Sequence, residues 1–300
     1  MSSERRRGET PGAGFSGARS VQAVASDSVP FERYQGGHVI TVPAIVGDST
    51  PTRLALDTGI GVNVVSAGLC RRLGFVPTGG TYSGRRMSGQ RISAPLTRVS
   101  SISVDSLRQE NIVAGMFDLN AFFPEGSGIE GFLSPQFFEP WPFALNSLTK
   151  TVRIDHGEPG PIRPHAVEVP LTIQRDGPSV ELFVDLRLPG GAIATVEVDT
   201  GSDDLILDTR FMKELGVDAD RADVRKATGT DETGHQYARY FTHLHGPVSL
   251  AAAPSIGQRN PAVMFQKIIY DGLLGDAFLR SFDVTFDLAG RRLLFADPSL

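Results

Sequence analysis

The tripeptide Asp-Thr-Gly occurs twice, at Asp57-Thr58-Gly59 and Asp199-Thr200-Gly201, each copy closing an apolar run, Leu54-Ala55-Leu56 and Val196-Glu197-Val198. Two aspartates brought together by a duplicated unit have a distinctive chemistry. Carboxyl groups a few ångströms apart cannot both ionise freely, so the pair holds one proton between them at mildly acidic to neutral pH. The ionised member can take a proton from water while the protonated member donates to the oxygen of an electrophile, so one site supplies both base and acid. A single Asp-Thr-Gly reads equally well as a strand-ending turn, where all three residue types are favoured. The surroundings of the two copies decide between these readings.

Those surroundings repeat. Nine residues after each aspartate stands a helix-capping type, Ser66 and Asp208, and seventeen after it stands a Leu-Gly pair, Leu73-Gly74 and Leu215-Gly216. A capping side chain followed by a terminal glycine predicts a short helix in each copy. Glycine-containing hairpins follow, Ser83-Gly84 with Ser88-Gly89 and Thr228-Gly229 with Thr233-Gly234. Next come Gly131-Phe132-Leu133 and Gly272-Leu273-Leu274, and fifteen residues beyond each of those glycines stand Asn146 and Asp287. Ordered landmarks at matching offsets mark an internal repeat. Between them, short β-branched and aromatic runs alternate with Gly, Pro, Asn and Asp turns, which predicts an all-β chain with few, short helices.

Strand, Asp-Thr-Gly, short helix, hairpin and an apolar-apolar segment, in that order and twice over, resemble the units of the pepsin/retropepsin-like aspartic proteases. The resemblance covers roughly residues 35–157 and 165–298. It implies a bilobal acid-protease fold, two duplicated closed-barrel-like β lobes with short helices and a cleft between them. It also implies an aspartic endopeptidase working as a monomer on peptide or protein substrates, with Asp57 and Asp199 catalytic and no cofactor or metal. Thr58 and Thr200 would lock the pair across the pseudo-two-fold axis. Gly59 and Gly201 would let backbone N–H groups reach the carboxylates, and the Ser202 hydroxyl would bond the outer oxygen of Asp199. Tyr82, Ser83 and Gly84, with Thr228 and Gly229, are the flap candidates that would touch substrate. Two positions depart from the family pattern: Ile60 stands where a small residue, often a hydroxyl, is usual, and Ser134 stands where Gly275 occupies the matching place. Ile60 offers no hydrogen bond and is expected to raise the pKa of Asp57 by desolvation. The alternative reading is a catalytically weak or inactive peptide-binding module of the same fold.

Composition and charge narrow the remaining classes. A net charge of −5 over 300 residues gives no general attraction to nucleic acid. Cys70 is the single cysteine, which excludes an intrachain disulfide and a thiolate metal cluster and leaves Cys70 as a small core residue. His243 and His245 share a strand face without further ligands, so a zinc site and a metal-dependent hydrolase are not expected. Of Asp203 and Asp204, one is expected to pair with local backbone or an arginine. Trp141 and the pairs Phe122-Phe123 and Phe137-Phe138 are expected in the core or in cleft walls. Residues 1–30, rich in Arg, Gly, Ser and Pro, read as a disordered tail without a signal-peptide apolar stretch, which favours the cytoplasm, and no apolar run is long enough to span a bilayer. The expected layout is therefore a tail to residue 30, a first lobe at 31–156, a Gly/Pro-rich linker at 157–164 and a second lobe at 165–300.

Overall fold

The structure is a computed structural model that describes residues 26–124, 126–156, 165–231 and 234–299. The linker at 157–164 and the first twenty-five residues lie outside the described residues. Strands dominate, as the turn-punctuated alternation requires. Ile40–Val46 shows how: Ile40, Val42, Ala44 and Val46 face inward while Pro43 and Ile45 face out. The short helix Ala67–Leu73 forms where its signals stand, with the Ser66 hydroxyl accepting from Leu69 N–H and Gly74 closing it at a left-handed φ of 71°. The second copy is tighter, a 3-10 turn at Thr209–Phe211 capped by Asp208, which accepts from Arg210 N–H.

The first half folds into an eight-stranded sheet. Within it Ile40–Val46, Thr50–Leu56, Ile129–Leu133, Val64–Ser66, Leu107–Phe117 and Arg91–Val104 pair in that order. Arg91–Val104 then returns to Ile40–Val46, with Ile45 opposite Ser103, so this sheet closes on itself. The second half makes a ten-stranded sheet with the same circuit. There the long strand and its partner are interrupted, giving Gln236–His243 with Pro247–Leu250 and Ala253–Arg259 with Ala262–Gln266. The pairing rules match between halves. Leu56 lies beside Leu133 in a parallel pair, and Val198 lies beside Leu274 in the same way.

A third, six-stranded sheet joins the halves in the order Ser26–Pro30, Thr151–Asp155, Phe143–Asn146, Asp283–Asp287, Arg292–Ala296, Val167–Pro170. At its centre Phe143 faces Phe286 and Leu145 faces Val284, a register that maps onto itself when the two copies are exchanged. The pseudo-two-fold axis therefore passes between these strands. Phe143 stacks on Phe286 at 4.7 Å and on Phe138 at 4.1 Å, so one aromatic column crosses the seam. Arg33 adds a forked ion pair to Asp276, at 2.7 and 3.0 Å, from the first half to a carboxylate that is 2% exposed.

Ser26–Pro30, placed in the tail by composition, is instead the edge strand of this joining sheet, opposite Thr151–Asp155. Its only local signal is Val29, now buried, and its partner lies more than a hundred residues away in sequence. Phe137, Phe138 and Phe123 are buried as expected, whereas Phe122 is exposed. Asp203 pairs with Arg280 and Cys70 is buried in the core.

Replacing Phe286 with Ala should cost about 3–5 kcal/mol of stability, the range for truncating a buried aromatic ring. Urea unfolding checks this, and a loss below about 1 kcal/mol would mean that the seam is not a shared core.

Candidate active site

Each aspartate is held by the end of its strand. The N–H of Asp57 donates to Leu133 O and that of Asp199 to Leu274 O, both at 3.0 Å, so the two turns start from equivalent anchor points. The turns then interlock. Thr58 N–H donates to the Thr200 hydroxyl and Thr200 N–H to the Thr58 hydroxyl, both at 3.0 Å. Each hydroxyl passes its own proton across the axis, Thr58 to Val198 O at 2.6 Å and Thr200 to Leu56 O at 3.3 Å. Both threonines are fully buried, so these four bonds satisfy groups that no water reaches.

Glycine is required beside them. A β-carbon on Gly59 would lie 2.6 Å from the Asp199 carboxyl carbon, and one on Gly201 would lie 2.5 Å from Asp57 Oδ2. Each carboxyl group thus rests against the opposite turn's glycine, which brings the two side chains close to each other. Gly59 N–H donates to Asp57 Oδ1 at 2.9 Å and Gly201 N–H to Asp199 Oδ1 at 2.8 Å.

Past the glycines the symmetry fails. Ser202 donates its hydroxyl to Asp199 Oδ2 at 2.5 Å, whereas Ile60 packs into the apolar cluster of Val62, Val64 and Tyr82 and offers no donor. Burial raises the pKa of Asp57 well above the ordinary carboxylate value, the negative charge of Asp199 raises it further, and the Gly59 N–H only partly opposes the two. The other departure also has a structural reason. A β-carbon on Gly275 would meet Asp203 O at 2.4 Å, so the second half needs glycine there. In the first half Ser134 fits because the buried Asn63 Oδ1 accepts from both its N–H, at 3.0 Å, and its hydroxyl, at 3.3 Å.

The first hairpin, Pro77–Arg85 with Arg91–Val104, reaches over to the second half. Ile269 N–H donates to Met87 O at 2.9 Å, and Met87 packs on Ile206, Met264, Ile268 and Leu273. Tyr82 is buried beneath Gly84, with its hydroxyl turned toward Gly61 and Ser179 next to the first Asp-Thr-Gly turn. Ser83 faces Ser93 across the hairpin. Thr228 and Gly229 lie on the second hairpin, Arg225–Thr230 with Gln236–His243. There they line, with Thr230, Gln236 and Tyr237, a shallow pocket whose walls include no residue of either Asp-Thr-Gly turn.

Sequence reasoning passed over Asn63 and Glu197. Glu197 precedes Asp199 by two residues and is only 4% exposed. Its acidic type in an otherwise apolar run is the signal that marks it. Among the described residues no cluster of three or more His, Cys, Asp or Glu side chains is arranged to hold a metal ion, and no helix is long and apolar enough to cross a membrane.

Residues 42–137 match the family model described as "Aspartyl protease". The matched stretch contains the Asp57 turn, the first hairpin and Asn63-to-Ser134, and supports an aspartyl protease family and function. It stops short of Asp199. No curated protein matches the chain.

Two predictions follow from the interlock and from the buried acid. Thr58→Val and Thr200→Val should each cost about 2–4 kcal/mol, because each removes one donor and strands a buried N–H. The double variant should cost clearly less than their sum, as both break the same exchange; denaturant unfolding in a double-mutant cycle tests this, and additive costs would refute the coupling. Asp57 has a raised folded pKa, so its favourable contribution is complete below about pH 4 and is lost as pH rises through the folded value. Asp57→Asn should therefore gain stability relative to the wild type as pH increases, read as a melting-temperature difference that widens from acid to neutral pH.

Proposed function

We propose that the chain is an aspartic endopeptidase of the bilobal, pepsin-like kind, built from a lobe at 31–156 and a lobe at 165–300. The observation that carries this reading is the reciprocal threonine exchange holding two carboxyl groups in contact. A turn with a merely structural role has no need to abut its own duplicate through a pair of negative charges. Both carboxyl groups belong to one chain, so the active unit is a monomer, and water as nucleophile requires no cofactor.

The asymmetry of the pair suggests the division of labour. Asp57, disfavoured as an anion, carries the shared proton. Asp199, held by the Gly201 N–H and the Ser202 hydroxyl, is the partner that takes the proton from water. A water between them gives a proton to Asp199 as its oxygen forms a bond to the peptide carbonyl carbon, and Asp57 donates its proton to the carbonyl oxygen. The tetrahedral diol then collapses: its C–N bond breaks, the nitrogen takes up the proton held by Asp199, and a diol hydroxyl returns its proton to Asp57. An extended peptide in the cleft would add main-chain hydrogen bonds along the Met87 hairpin, with alternate side chains entering pockets on either wall. Tyr82, Ser83 and Gly84 would act there, and Thr228 and Gly229 from the opposite hairpin.

One observation favours a second reading, a non-catalytic peptide-binding module: Ile60 deprives Asp57 of the hydroxyl that Ser202 gives Asp199. Cleavage of a denatured protein across pH 3–8 separates the two. Asp57→Asn and Asp199→Asn should each lower kcat/KM by about a thousandfold or more, roughly 4 kcal/mol of transition-state stabilisation. Peptide binding that survives in both variants, with no cleavage by the folded wild type at any pH, would instead establish the binding module.

A further inference from the structure

The strand Ile193–Val198 alternates. Ala194, Val196 and Val198 enter the main core, so Thr195, Glu197 and Asp199 share the opposite face. Glu197 is thus placed on the same side as the reactive carboxyl group, one pleat away. Its register neighbours there are Phe183 and Leu273. Leu273 belongs to the apolar patch that the Met87 hairpin tip covers, so Glu197 lies under the part of the chain that must lift to admit a peptide.

At 4% exposure this carboxyl group makes no hydrogen bond or ion pair with any described residue. The charged groups acting on it are all acidic: Asp199 and Asp57 of the turns, and Glu181 from the neighbouring strand. Around them stand the hydroxyls of Tyr82 and Tyr270, themselves influenced by Glu197 and Glu181 and by no lysine or arginine. Burial raises the pKa of Glu197 well above its ordinary value, in keeping with a carboxyl group left without a counter-charge. The equivalent position of the first half, two residues before Asp57, is Ala55, fully buried and apolar. One side of the cleft therefore carries an acid that the other lacks.

We propose that Glu197 determines specificity beside Asp199, selecting peptides that present a lysine or arginine side chain next to the bond to be cleaved. The inference rests on the endopeptidase reading for its scissile bond, but the recognition it describes is a matter of binding. An unpaired carboxyl group between Phe183 and Leu273 offers walls for the methylene stem of a lysine and a partner for its ammonium group. Entry of the cation ionises Glu197 and makes the missing ion pair, so the substrate supplies the charge that the fold omits. A glutamate side chain at the same place would meet only like charge.

The test uses peptides identical except for one residue flanking the cleavage site: lysine, arginine, norleucine or glutamate. For the wild type at about pH 6, kcat/KM for lysine should exceed that for norleucine about tenfold or more, with glutamate the poorest. Glu197→Gln, which keeps the shape, or Glu197→Met, which keeps the bulk, should bring that ratio to within about threefold of unity. Either variant suffices provided it melts cooperatively. The same lysine-to-norleucine ratio, read as dissociation constants on Asp57→Asn with and without Glu197→Gln, reports recognition even if no peptide is cut. Absence of cleavage with a Glu197-dependent lysine preference would sink the enzyme reading and leave this one standing. A wild-type ratio near unity, or one that a folded Glu197 variant leaves unchanged, overturns it.

Discussion

The exchange of hydrogen bonds between Thr58 and Thr200 is the constraint on which the remaining geometry depends. Two carboxyl groups repel when charged and lose hydration when buried, so nothing intrinsic to them favours their contact. What holds them together is uncharged: two hydroxyls, two amide N–H groups and two carbonyls, each finding its partner in the opposite turn. Because each group would be unsatisfied if the turns separated, the contact is an obligation of the buried backbone. The sheets serve to deliver these turns. Parallel pairing with Leu133 and Leu274 sets their height, and the joining sheet with its Phe138, Phe143 and Phe286 column sets their separation.

Upon this near-symmetric frame the chain places unequal chemistry. The duplicated backbone gives both aspartates one backbone donor, and the next residue then distinguishes them, Ile60 against Ser202. The same pattern recurs further out. Ser134 with Asn63 stands against Gly275, and Ala55 against Glu197. Unequal hydrogen bonding thus gives two matched aspartates different surroundings. The first hairpin adds to the inequality, since its Met87 tip is bonded to Ile269 across the axis.

The all-β class and the capped helix at Ala67–Leu73 were legible because each is written in adjacent residues. Capping, left-handed glycine and strand alternation act over a few positions and need no knowledge of the rest of the chain. Ser26–Pro30 was illegible for the opposite reason. A five-residue run with a single buried aliphatic becomes a strand because Thr151–Asp155, paired on its other side with Phe143–Asn146, offers it an edge, and that partner lies far away in sequence.

The sequence alone therefore determined that this protein has two equivalent acid-bearing turns and which residues lie in them, because residue type and spacing are properties of the chain. Tertiary structure decided what those residues experience. The pKa of Asp57 is raised by burial and by Asp199, Tyr82 is turned beneath its own hairpin, and Glu197 is buried among acidic groups on the face that Asp199 shares. These are consequences of how separate segments come together, Asp57 against Asp199 across the two halves and Tyr82 against Gly61 and Ser179, and such proximity comes from packing, which no local pattern encodes.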